Sequence, residues 1–211
     1  MEPIKLTDME KDALTEISNI CTGNSSTALS QLLTKKVSMR VPSTKFITLQ
    51  EFPTEIGGDN LVVGLYLQVL GDLRGNILYI FNQSSAHNLI DIAYGNPTGT
   101  TVVLDEAGTS FLKELGNIMS GTYLSALSRL LDLKAIPSVP HMALDMAVAM
   151  VDFMLIRLTT QTDKFLLIKT EVSIEEQKIL GNFLILLDET SFNQLIKKMK
   201  EKYGIEISSN G

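Results

Sequence analysis

The chain has a single cysteine, Cys21, among its 211 residues, so it cannot close a disulfide on itself. Cysteine-poor composition fits a reducing compartment, and Cys21, set in an apolar helical pattern, reads as a packed thiol rather than a reactive one. Histidine is nearly as scarce. His87 and His141 stand far apart with no His or Cys at ligand spacing, so no bound transition metal is expected. Cations are in deficit too: 18 Lys and Arg face 24 Asp and Glu, the net charge is −6, and no basic face points to nucleic acid. The cluster Lys197 to Lys202 reads as a solvated last helical turn. The most apolar stretch, Met142 to Leu158, is interrupted by Asp145, Asp152 and Arg157. It is too short and too charged for an ordinary membrane span and reads as a buried helix. Residues 1–12 hold no apolar leader segment, so a cytoplasmic protein without membrane insertion is expected. The sequence does not fix the oligomeric state, and a monomer is the favoured expectation.

What the chain does have is internal repetition. Glu16 to Leu33 aligns without gaps on Glu114 to Leu131, 98 residues later, with nine of 18 positions identical. Further on, GNILYIF from Gly75 recurs as GNFLILL from Gly181, and SxxxLI at Ser85 recurs at Ser191, now 106 residues apart. The second copy has therefore gained about eight residues between the blocks, the scale of a loop or a changed element. This predicts one domain built from two structural repeats, roughly 8–98 and 104–211.

Each repeat opens with a helical pattern. Leu14, Ile17, Cys21, Ala28 and Leu32 keep the spacing of a buried stripe, and Leu112, Leu115, Met119, Ala126 and Leu130 repeat it. Thr7 or Asp8 suits the N-cap. Strands are predicted over Val37 to Val41, Leu61 to Leu70, Gly75 to Phe81, Lys164 to Glu171 and Gly181 to Leu187, with closing helices at Ser84 to Tyr94 and Thr190 to Lys202. Short turns such as Gly71 to Arg74 favour antiparallel hairpins over crossovers.

Opposite the first apolar stripe, Asp12, Glu16, Asn19 and Gly23 fall on one narrow line at about 100° per residue. Ser110, Glu114, Asn117 and Gly121 form the same line in the second repeat. On one helix such residues would mean only a solvated face. Their recurrence needs another reason, because Asn costs roughly 0.5 kcal/mol and Gly about 1 kcal/mol against Ala inside a helix. A glycine there removes bulk, so that another backbone or a phosphate can come close. A proline also follows each Asn by 23 residues, Pro42 after Asn19 and Pro140 after Asn117. These read as punctuation at a strand end or sheet edge.

The pattern Asp/Ser-x3-Glu-x2-Asn-x22-Pro resembles the signature of the CheC, CheX and FliY phosphatases, and this chain fits it twice. The resemblance implies an α/β fold of the α+β type, internally duplicated, with an antiparallel sheet and two long exposed site helices. At Cys21-Thr22 the chain departs from the small residues usual in those relatives. The resemblance implies hydrolysis of the aspartyl phosphate of the chemotaxis response regulator CheY, with Asn19 and Asn117 positioning water and Glu16 and Glu114 docking on the regulator's lysine. It implies no cofactor of the chain's own, the Mg2+ being the regulator's. It further implies a second partner, the receptor deamidase CheD, with Asp145 as the candidate contact or else a helix-lining residue. The alternative is a non-catalytic CheC-like interaction module of the flagellar switch or chemotaxis machinery, but such modules generally lack an intact Glu-Asn pair.

Overall fold

The computed structural model describes residues 6–48, 60–150, 164–174 and 177–204, with the single positions 51 and 54. Helix α1 (Asp8–Leu33) starts where Thr7 closes a capping box with Glu10: the Glu10 amide donates to Thr7 Oγ1 at 3.2 Å, and the Thr7 amide donates to Glu10 Oε2 at 2.7 Å. Strands β1 (Val37–Thr48), β2 (Leu61–Gly71) and β3 (Gly75–Asn82) follow, then helix α2 (Gln83–Tyr94). The second half has one strand more between its two helices: α3 (Glu106–Leu131), short strands β4 (Ala135–Pro137) and β5 (His141–Met146), β6 (Lys164–Ile174), β7 (Gln177–Leu187) and α4 (Glu189–Tyr203).

All seven strands join one antiparallel sheet in the order β1-β6-β7-β3-β2-β4, with β5 also on β2. At its centre the repeated segments Gly75–Phe81 and Gly181–Leu187 pair with each other, Leu78 opposite Leu184. Outward from there the halves interleave. β1 joins β6, while β4 and β5 join β2, so each half's leading strand completes the other half's hairpin. The β2–β3 turn needs Gly71, whose φ is +117° and whose added Cβ would lie 2.3 Å from the Lys134 carbonyl oxygen.

Strand side chains alternate between faces, and here both faces are covered. Val63, Leu65, Ile77, Tyr79, Phe183 and Ile185 join the larger core with the buried sides of the helices. Val62, Tyr66, Leu78, Ile80, Leu184 and Leu186 form a smaller cluster with Ala147 and Met150. Phe183 stacks on Tyr79 at 4.7 Å and meets Tyr123 of α3 edge-on at 5.1 Å, tying the sheet centre to a long helix. Helices α1 and α3 meet through small side chains: Ser25 Oγ donates to the Met119 carbonyl at 2.9 Å, and Thr122 Oγ1 donates to Ser25 Oγ at 3.1 Å.

Three expectations change. Residues 142–146 are not in a buried helix; they belong to β5, whose register against β2 pairs Asp145 with Val62, helical backbone covers 147–150, and residues 151–158 of the stretch lie outside the described residues. A short apolar run does not by itself distinguish strand from helix, and the partner strand decides. In α1 the inner face passes from Cys21 to Ser25, Leu29 and Leu33, leaving Ala28 and Leu32 half-buried, because the lower part of the helix turns toward α3 and β1. Lys200 is not simply solvated. Its ammonium lies 2.7 Å from Glu10 Oε1 with both side chains largely covered, so α4 anchors the start of α1. Burial alone would raise the Glu10 carboxyl; the bonds from Lys200 and Thr7 hold it below the usual glutamate value instead.

Candidate functional site

With Leu14, Ile17 and Cys21 buried, the opposite side of α1 must face outward, and Asp12, Glu16, Asn19 and Gly23 are all exposed there. The second line behaves alike: Ser110, Glu114 and Asn117 are exposed and Gly121 is half-exposed. None of these side chains makes a hydrogen bond or ion pair with another described residue. Cys21 and Thr22, where the chain departs from the usual small residues, are fully turned inward at 0% and 1% exposure. Burial pushes the Cys21 thiol up to about 12, against a weaker opposing pull from Arg129, so it stays protonated at neutral pH.

Neither glycine is required by packing. A Cβ built on Gly23 or Gly121 meets nothing within 4 Å, and neither has a positive φ. Gly23→Ala and Gly121→Ala are each expected to stabilise the fold by about 0.5–1 kcal/mol, readable as a higher thermal midpoint. If both instead lower the midpoint, the glycines serve the fold and not an approaching partner.

In the second half the signature residues share a wall-to-wall arrangement. Ser110, Lys113, Glu114 and Asn117 of α3 face Pro137, Ser138, Val139 and Pro140 across an open groove of about 450 Å³. The far wall is fixed at several points. Ser128 Oγ accepts from the Ala135 amide at 3.0 Å, Ser138 Oγ accepts from the Gln68 amide at 2.9 Å, and the Ser138 amide returns to the Gln68 carbonyl at 2.9 Å. Pro140 separates β4 from β5, and Pro42 sits within the bulge of β1 between Arg40 and Ser43, so both prolines interrupt an edge ladder that they cannot donate to. The sequence assigned Pro140 punctuation alone; it also lines the groove opposite Asn117. Ser30 plays the part of Ser128 in the first half, accepting from the Val37 amide at 3.0 Å and pinning the start of β1 beside α1.

Asp145 is exposed on β5, and its carboxylate accepts from the Met146 amide at 2.7 Å. His87 is buried on α2, and His141 is exposed on β5 beside Tyr66. Among the described residues, no three His, Cys, Asp or Glu side chains gather as a metal cage, and no helix is long and apolar enough to cross a membrane.

The model of the CheC-like family matches residues 9–45 and 108–142, the segments that run from Asp12 to Pro42 and from Ser110 to Pro140. Over 191 residues the chain is 34% identical to the CheY-P phosphatase CheC of Bacillus subtilis (strain 168), covering 88% of this chain and 91% of that protein. The chain belongs to the CheC-like family. The flagellar motor switch phosphatase FliY of the same organism is 31% identical over 140 residues, 66% of this CheC-like chain but 36% of FliY's own length. The crystal structure of Thermotoga maritima FliY superposes with a TM-score of 0.75 over 94% of this chain and all of that one. At 22% identity that likeness speaks to the fold, a mixed helical and antiparallel architecture.

Proposed function

We propose that this chain is a phosphatase that hydrolyses the aspartyl phosphate of the chemotaxis response regulator CheY, at two like sites. The observation that carries the reading is the free, exposed Glu and Asn on equivalent lines of α1 and α3, beside glycines that the fold does not need. Its membership beside a CheY-P phosphatase supplies the substrate class.

An acyl phosphate is already activated, so a second protein contributes mainly by holding water in line with the phosphorus. Water's oxygen bonds to phosphorus, the bond to the aspartyl oxygen breaks, the aspartate leaves as carboxylate, and the water's proton passes to phosphate or solvent. The Asn19 and Asn117 carboxamides suit this: the carbonyl accepts from the water and the NH2 donates to phosphoryl oxygens. Glu16 and Glu114 would be repelled by a phosphoryl group, so their role is a salt bridge to the regulator's active-site lysine. The Mg2+ belongs to the regulator. Mixing the purified protein with phosphorylated CheY and following phosphate release tests the reading; decay no faster than that of CheY alone would end it. A chelator should stop the reaction while elemental analysis of the phosphatase finds no stoichiometric metal.

The same reading sets the protein in the cytoplasm and gives it CheD as a second partner, with Asp145 in the contact. Asp145 is exposed on an edge strand and lies on neither helix line. Asp145→Lys is expected to weaken CheD binding by about tenfold while dephosphorylation is retained. Calorimetry with CheD decides it, and unchanged affinity would return Asp145 to a purely structural place.

A further inference from the structure

We propose that Lys113 is the docking cation of the second site, a residue without a counterpart in the first, and that it draws the anionic, phosphorylated pocket of the partner to α3 rather than α1. The inference rests on the phosphatase reading and concerns how its two sites differ.

Lys113 is half-buried in the groove, three residues after Ser110 and four before Asn117, so its stem runs beside those two at the edge of the signature line, on the side away from Glu114. It makes no ion pair with any described residue. Glu114 is adjacent in sequence, and neighbours at i and i+1 do not face one another on a helix, so the ammonium is not neutralised from its own turn. A lysine of this kind buries its methylenes and keeps its charge at the rim. The opposite wall, Pro137 to Pro140, carries no charge.

The first site is the more acidic. The position equivalent to Lys113 is Thr15, and that of Ser110 is Asp12. Asp12, Thr15, Glu16 and Asn19 hold two carboxylates and no cation, whereas Ser110, Lys113, Glu114 and Asn117 hold one of each, a difference of two charges. On β1, the cation two residues before Pro42, Arg40, is already engaged: its Nε donates to Glu171 Oε2 at 2.8 Å. A phosphorylated acidic pocket therefore meets repulsion along α1 and a free ammonium along α3. Charges at an interface rim act chiefly on encounter and on salt dependence.

Single-site backgrounds isolate the effect. Asn19→Ala leaves the second site at work, and Asn117→Ala leaves the first. Lys113→Met in the first background is expected to raise KM for phosphorylated CheY about three- to fivefold with kcat changed less than about twofold, and to flatten the fall of kcat/KM with ionic strength. Lys113→Arg should restore both. Thr15→Lys in the Asn117→Ala background should lower KM by a similar factor. An unchanged KM and salt slope in Lys113→Met overturns the proposal, and so does a loss confined to kcat, which would mark a different role. Failure of the unsubstituted protein to hydrolyse CheY phosphate would defeat the phosphatase reading itself, and the Lys113 proposal with it, before any Lys113 variant is made.

Discussion

Replacing both Asn19 and Asn117 with alanine is expected to lower the rate of CheY dephosphorylation by about a hundredfold or more, the scale on which lost positioning of a reactant acts. Each single variant should keep the contribution of the other site. Both side chains are exposed and bond to no described residue, so their removal leaves no unsatisfied partner inside the protein. Alanine is also the better helix former, by roughly 0.5 kcal/mol, so the double variant should melt no lower than its parent. The loss should fall on kcat, because the glutamates proposed to dock the regulator are still present. Phosphate release under single-turnover conditions, read beside a thermal melt, separates these effects. Full activity in the double variant would refute water positioning by asparagine. Complete loss in either single variant would instead mean one composite site.

Much of this architecture was readable because the sequence states it twice. The repeated helix block located α1 and α3 and, through the residues opposite Leu14 and Leu112, the exposed lines as well. The hairpins were legible from Gly71 and from continuous apolar runs that both faces of the sheet bury. What escaped was set by distant partners. Nothing local to Met142–Met146 announces pairing with β2, and only the ladder from His141 opposite Tyr66 makes it a strand. The charge of Lys200 gave no hint of Glu10, 190 residues away, whose covered carboxylate draws it in. The groove was legible only in part. The signature named Pro140, but the wall from Pro137 to Val139 stands opposite Asn117 because β4 pairs with the end of β2 and Ser138 locks onto Gln68. The interleaving of the halves was likewise invisible, since antiparallel pairing follows hydrophobic pattern and not order along the chain.

Glu16→Gln with Glu114→Gln is expected to act on association instead of chemistry. Glutamine keeps the size and helical preference of glutamate and removes only the charge, so a change in binding reports the ion pair itself. A carboxylate that docks on a lysine at a closed interface typically costs about 2 kcal/mol or more when it is lost, so KM for phosphorylated CheY should rise about thirtyfold. The value of kcat should fall far less, since the proposed holders of the water, Asn19 and Asn117, are unchanged. That division is the opposite of the one expected for the asparagine pair, and one assay over a range of regulator concentrations reads both. Partner identity can then be checked by a double-mutant cycle that combines the glutamine pair with replacement of the regulator's lysine. If each Glu meets that lysine, the second change adds little to the first. Independent, additive losses would place the glutamates elsewhere on the interface. A fall in kcat at constant KM would make them general bases, despite the like charge of the phosphoryl group beside them.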